Sequence, residues 1–69
     1  MATYVELINK LDVLNITEIK DYHKIPDIGG VIKITDRAVL LHLNYVGEDV
    51  WFPISLLRVG KEEKIWLQS

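Results

Sequence analysis

Residues Val31–Leu57 read VIKITDRAVLLHLNYVGEDVWFPISLL, and how this stretch pairs with itself decides the fold. Its clearest element is Ala38–Asn44, where Val39, Leu41 and Leu43 alternate with Ala38, Leu40, His42 and Asn44. One face of such a strand is fully apolar and the other mixed. Tyr45–Glu48 reads as a hairpin loop, with Gly47 where positive φ is needed. Asp49–Phe52 returns as the partner strand, and Pro53, having no amide to donate, marks an edge or an end. Upstream, Val31–Ile34 starts the sheet and Thr35-Asp36-Arg37 makes a polar turn, since Thr and Asp can bond their own backbone there.

A loop at 45–48 places His42 opposite Trp51, Leu43 opposite Val50 and Leu41 opposite Phe52. A loop at 46–48 instead places Leu43 opposite Trp51 and His42 opposite Phe52. A slip of one residue turns every side chain over. The first register is preferred because it joins the two apolar sets and leaves His42 and Trp51 on the other side.

Working outward, residues 3–13 read as a helix. Thr3 and Glu6 have capping-box spacing, and Tyr4, Leu7, Ile8 and Leu11 make one apolar face, with Val5 at its margin. A helix this short needs a partner surface; the sheet is the expected one, and an external partner the alternative. Asn15 and Glu18 repeat the capping spacing, and Ile16, Ile19 and Tyr22 stand three apart. These features favour a second short helix ending near His23, although Asp12–Thr17 also suits a strand. Pro26 forces extended geometry on Ile25, and Pro26–Gly30 follows as a loop whose two glycines are free to take positive φ. Beyond Pro53, Ile54–Arg58 reads as a helical turn or irregular crossover, Gly60–Glu63 as a charged loop, and Lys64–Gln68 as a last strand carrying Trp66.

Composition narrows the function classes. Sixty-nine residues make one domain, 1–69, which buries only about 60% of its unfolded surface. With no cysteine, neither disulfides nor thiolate metal sites can add stability, so core packing or self-association must. An apolar content of 49% suits a compact core. A net charge of −2 with mixed signs counts against a phosphate-driven nucleic-acid binder. No run is long enough for a membrane span, and the N-terminus lacks the regions of a signal peptide. The expected location is cytoplasmic, and the Asn15-Ile16-Thr17 sequon is then chance.

No catalytic set stands out. His23 and His42 are isolated, Ser55 has no base nearby in the chain, and no glycine-rich phosphate loop follows a strand. A non-enzymatic protein without cofactor or metal is expected. The aromatics say more: Trp51, Phe52 and Trp66 cluster late in the chain, with Tyr45 in the loop. Phe52 and one tryptophan serve the core, whereas an exposed tryptophan marks an interface, where Trp, Tyr and Arg dominate. Stacking of single-stranded nucleic acid is the runner-up, but Glu48, Asp49, Glu62 and Glu63 oppose Arg58, Lys61 and Lys64.

The run Thr35-Asp36-Arg37-Ala38-Val39-Leu40-Leu41 followed by Gly47-Glu48-Asp49-Val50-Trp51-Phe52-Pro53-Ile54-Ser55 resembles a pattern of small phage and bacterial proteins of unsettled function. That pattern is Thr, a charged pair, Ala and aliphatics, then Gly-Glu-x-x-Trp-aliphatic-Pro-x-Ser; Phe52 stands where an aliphatic is usual. The resemblance implies a compact β-rich module in a mobile-element setting, where an inhibitor of a host or defence protein fits. It supplies no binding residues.

The sequence therefore predicts an α+β fold: an N-terminal helix on a twisted antiparallel sheet of three to four strands within 31–68, curling toward a small barrel. The predicted function is protein binding, by another protein or by a homodimer, through His42, Trp51 and Trp66, with Tyr45 and Arg58 at the rim.

Overall fold

The alternation at 38–44 becomes a strand, β4 (Ala38–Leu43), paired antiparallel on one side with β3 (Ile28–Ile34) and on the other with β5 (Glu48–Pro53). The computed structural model describes residues 3–69. Met1 and Ala2, included in the single-domain and signal-peptide readings, lie outside the described residues. The remaining elements are helix α1 (Tyr4–Lys10) and strands β1 (Asp12–Val13), β2 (Tyr22–Lys24), β6 (Leu57–Val59) and β7 (Ile65–Gln68). Three 3-10 turns, Ile16–Asp21, Ile54–Leu56 and Lys61–Glu63, link them.

The fold is α+β, with α1 lying against β3. The strands form two sheets where one was expected: β3-β4-β5, and a mixed sheet ordered β1-β6-β7-β2 in which β1 runs parallel to β6. They do not close into a barrel. Their inner faces meet in one core made of Leu7 and Leu11 from the helix segment, Ile25, Val39, Leu41 and Leu43 from β4, and Leu57, Val59 and Ile65 from the second sheet. The radius of gyration, 11.2 Å, matches the roughly 11 Å expected of a single packed body of this length, so the sheets are layers of one unit.

Local chemistry explains the element ends. The Thr3 hydroxyl accepts from the Glu6 amide at 3.2 Å, fixing the start of α1. The helix stops at Lys10 rather than continuing to residue 13, because Leu11 turns extended and Asp12–Val13 pair with Arg58–Val59 as β1. The predicted second helix is a 3-10 helix that ends at Asp21; Asn15 makes no side-chain cap, and Tyr22–Lys24 pair with β7. At Thr35–Ala38 the Thr35 hydroxyl accepts from the Ala38 amide at 3.0 Å and donates to its carbonyl at 3.1 Å.

The hairpin register differs from the preferred one. Leu43 pairs with Glu48, Leu41 with Val50, Val39 with Phe52, His42 with Asp49 and Leu40 with Trp51. The loop is still four residues, but it is Asn44–Gly47, closed by the Gly47 amide donating to the Leu43 carbonyl at 2.8 Å. Gly47 has φ 69°, as predicted. The shift from expectation is two residues, which preserves the faces: Val50 and Phe52 remain inward, His42 and Trp51 outward.

Strand β3 begins at Ile28, inside the predicted loop, and carries two bulges. Extra residues at Gly29 and Ile32 bring Ile28, Val31 and Ile34, spaced by three, all onto the core side. Positive φ falls on Asp27 rather than on Gly29 or Gly30. Gly29 is needed for a different reason: a Cβ there would collide with the side chains of Asn44 and His42.

Leu41 has no exposed surface and Val13 is 77% exposed. Leu41→Ala is expected to cost about 2–5 kcal/mol, much of what a domain this small possesses. Val13→Ala is expected to stay within about 0.5 kcal/mol. Urea denaturation of the two variants beside the parent checks both.

Candidate functional site

Because the inner faces share one core, the outer rows of the two sheets are turned away from it. On the first sheet the rows are Lys33–Leu40–Trp51, Gly30–His42–Asp49 and Ala38–Pro53. Trp51 is half exposed, on an edge strand beside the partly covered Leu40. His42 Nδ1 lies 2.7 Å from Asp49 Oδ1, a cross-strand pair at the protein surface. Tyr45 projects from the loop at the end of the same hairpin and is 58% exposed. His42, Trp51 and Tyr45 thus belong to one hairpin, as the sequence predicts.

Trp66 and Arg58 belong to the other sheet, where the outer row reads Asp12–Arg58–Trp66–Lys24. The five predicted residues therefore divide between two surfaces. The Arg58 guanidinium donates to the carbonyls of Ser55 and Leu57 at 3.0 and 2.8 Å and lies 5.6 Å from the centre of the Tyr22 ring. These are internal contacts, and the cation over the ring helps keep Tyr22 buried outside the main core.

Trp66 forms part of a groove. Its other lining residues are Leu14, Ile16, Ile19, Lys24, Gly60, Lys61, Glu62 and Lys64, around a volume of about 320 Å³. The spacing of three between Ile16 and Ile19, read from sequence as α-helical, belongs to a 3-10 helix, in which residues i and i+3 eclipse. Both isoleucines consequently line the same wall. That geometry was the available signal for the groove, and an α-helical period hides it.

Across the groove the backbone is tightly constrained. Glu62 and Glu63 both have φ 59°, a left-handed conformation that costs about 1–2 kcal/mol per non-glycine residue. The turn is held by the Gly60 amide donating to the Lys64 carbonyl at 2.8 Å, and by the Tyr4 hydroxyl donating to the Glu63 carbonyl. Burial, and then the nearby Glu63 carboxylate, raise the Tyr4 hydroxyl above its ordinary pKa of 10.0. Gly60 sits flat against the indole: a Cβ there would fall inside contact distance of Trp66 Nε1, which is buried without a hydrogen-bond partner. A second hollow, of about 390 Å³, lies beside Tyr4 and is lined by Asp27, Glu62 and Glu63 among others.

Among the described residues, no group of three or more His, Asp or Glu side chains is placed to hold a metal, and no helix is long and apolar enough to cross a membrane. No protein-family model matches the chain, and no curated protein or solved structure is significantly similar to it.

Gly60→Ala is expected to cost about 1–3 kcal/mol, because the added methyl must displace Trp66; thermal denaturation followed by tryptophan emission reads both effects. Tyr4 ties pH to the same turn. A hydroxyl whose pKa is higher folded than unfolded contributes stability below its unfolded pKa, and loses it as pH rises through the folded value. Parent protein is therefore expected to lose stability above pH 10.0, and Tyr4→Phe to flatten that limb relative to the parent in denaturation curves taken at rising pH.

Proposed function

We propose that the chain is a non-enzymatic protein-binding module that meets its partner with the outer face of the β3-β4-β5 sheet. The observation that carries this reading is Trp51. It stands half exposed between Leu40 and the sheet edge, while the opposite side of the same hairpin is packed into the core. A large aromatic held on a rigid support is the commonest kind of interface anchor, since it loses little freedom on binding. Lys33 and the His42–Asp49 pair border it with both signs of charge, suiting a polar rim around an aromatic centre. Glu48 and Asp49 on the same strand oppose a phosphate backbone, which supports a protein partner over a nucleic acid.

The resemblance to small phage and bacterial modules suggests the setting: a mobile-element product acting in the host cytoplasm as an inhibitor or regulator of a host or defence protein. Self-association through the same face is the simplest form of the proposal, since a small domain gains buried area from a homodimer.

Trp51→Ala distinguishes anchor from core. The variant is expected to keep the parent's circular dichroism and to melt within a few degrees of it. It should weaken partner capture, or sedimentation-detected dimerisation, by roughly thirty-fold, equivalent to about 2 kcal/mol. Unfolding of Trp51→Ala, or undiminished binding by it, would remove the face from consideration.

A further inference from the structure

The groove over Trp66 differs chemically from the protein around it. The chain carries a net charge of −2, yet three lysines, Lys24, Lys61 and Lys64, border the groove against one acid, Glu62. Its walls are the apolar side chains of Leu14, Ile16, Ile19 and Trp66. Ile16 is 80% exposed, so its apolar surface is open to a ligand. The volume, about 320 Å³, falls at the lower end of small-molecule sites, and an apolar cleft with a few converging charged groups is their usual form. Two further features set the place apart: the left-handed Glu62 and Glu63 in the bordering turn, and the unpartnered indole N–H of Trp66 beneath Gly60. Backbone held in sparsely populated conformations collects at ligand clamps.

We propose that this groove binds a small amphiphilic carboxylate, with its hydrocarbon part against Ile16, Ile19 and Trp66 and its head among Lys24, Lys61 and Lys64. Charge complementarity selects an anionic head. Glu62 in the lining opposes a dianion such as a phosphate more than a monoanion, so a carboxylate is the better match. Lysine stems add apolar cover while their heads stay in water. A volume of about 320 Å³ suits a short hydrocarbon chain or a single ring system, where an extended peptide would overrun the lining.

The probe is decanoate, kept below its micelle-forming concentration and titrated into isotope-labelled protein at low salt. The two tryptophan indole N–H signals provide the readout and its control, since Trp66 and Trp51 belong to different sheets. Trp66 is expected to shift saturably while Trp51 stays put. The double variant Lys61→Glu/Lys64→Glu changes only exposed side chains, and the Trp51 signal reports that its fold is intact. It should weaken binding by roughly tenfold or more, as should replacing decanoate with decanol. Parallel movement of both indoles, equal affinity for decanol, or an unchanged response in the double variant would each overturn the assignment. So would a Trp66 response to an acidic, leucine-rich peptide with none to decanoate, which would give the groove to a protein partner.

Discussion

Burial of the inner side of β4 governs the arrangement of this protein. Val39 and Leu41 are wholly inaccessible and Leu43 nearly so, but a chain of 69 residues has few side chains with which to cover them. Cover comes from both directions in sequence: Leu7 and Leu11 from the helix segment, and Leu57, Val59 and Ile65 from the second sheet. Hydrophobic stabilisation scales with the apolar area removed from water, so each of these must reach the same small volume. The two bulges of β3 answer that demand. A regular strand would turn Val31 outward if Ile28 faced in; an extra residue at Gly29 and another at Ile32 return the apolar positions to the core. Ile32 is left half exposed as a result.

With the inner faces committed to packing, the outer rows face away from the core, and strand position separates the two tryptophans. Trp51 lies on β5, an edge strand, where only Leu40 flanks it in register. Trp66 lies on β7, between β6 and β2, flanked by Arg58 and Lys24 and pressed against Gly60. The same residue type stands half exposed on an edge strand in one place and lines a groove in the other. Neither outcome follows from hydrophobicity, since both side chains are equally apolar.

Much of this was legible in the residues. The strict alternation of 38–43 disclosed β4 and its core face, and Gly47 disclosed the hairpin turn. The Thr3–Glu6 spacing disclosed the start of the helix. Parity kept Trp51 and His42 outward even though the pairing differed from expectation by two residues. What could not be read were the elements whose pairing is non-local. Asp12–Val13 and Leu57–Val59 are too short to show a period; the first is a strand only through β6, and the second lies between β1 and β7 and pairs with both. The bulges broke the alternation that would have extended β3 back to Ile28. At Ile16–Ile19, a spacing of three matched the α-helical template closely enough to conceal a 3-10 helix, and with it the wall of the groove. The division of the predicted site followed from the same gap: without β6, nothing in the residues assigned Arg58 and Trp66 to a separate sheet from Trp51.

That division has an energetic consequence. One chain of contacts joins the two surfaces: the turn at 61–63 is tied through Glu63 to Tyr4, Tyr4 begins α1, and α1 lies against β3. Coupling along such a chain requires an element with two arrangements that both sites bias. Helix α1 does not offer one, because Leu7 is fully buried and Leu11 nearly so; moving either would open a cavity in a core with no surplus stability. Trp51 and Trp66 lie on different sheets, so substitutions at the two are expected to add in their effect on stability.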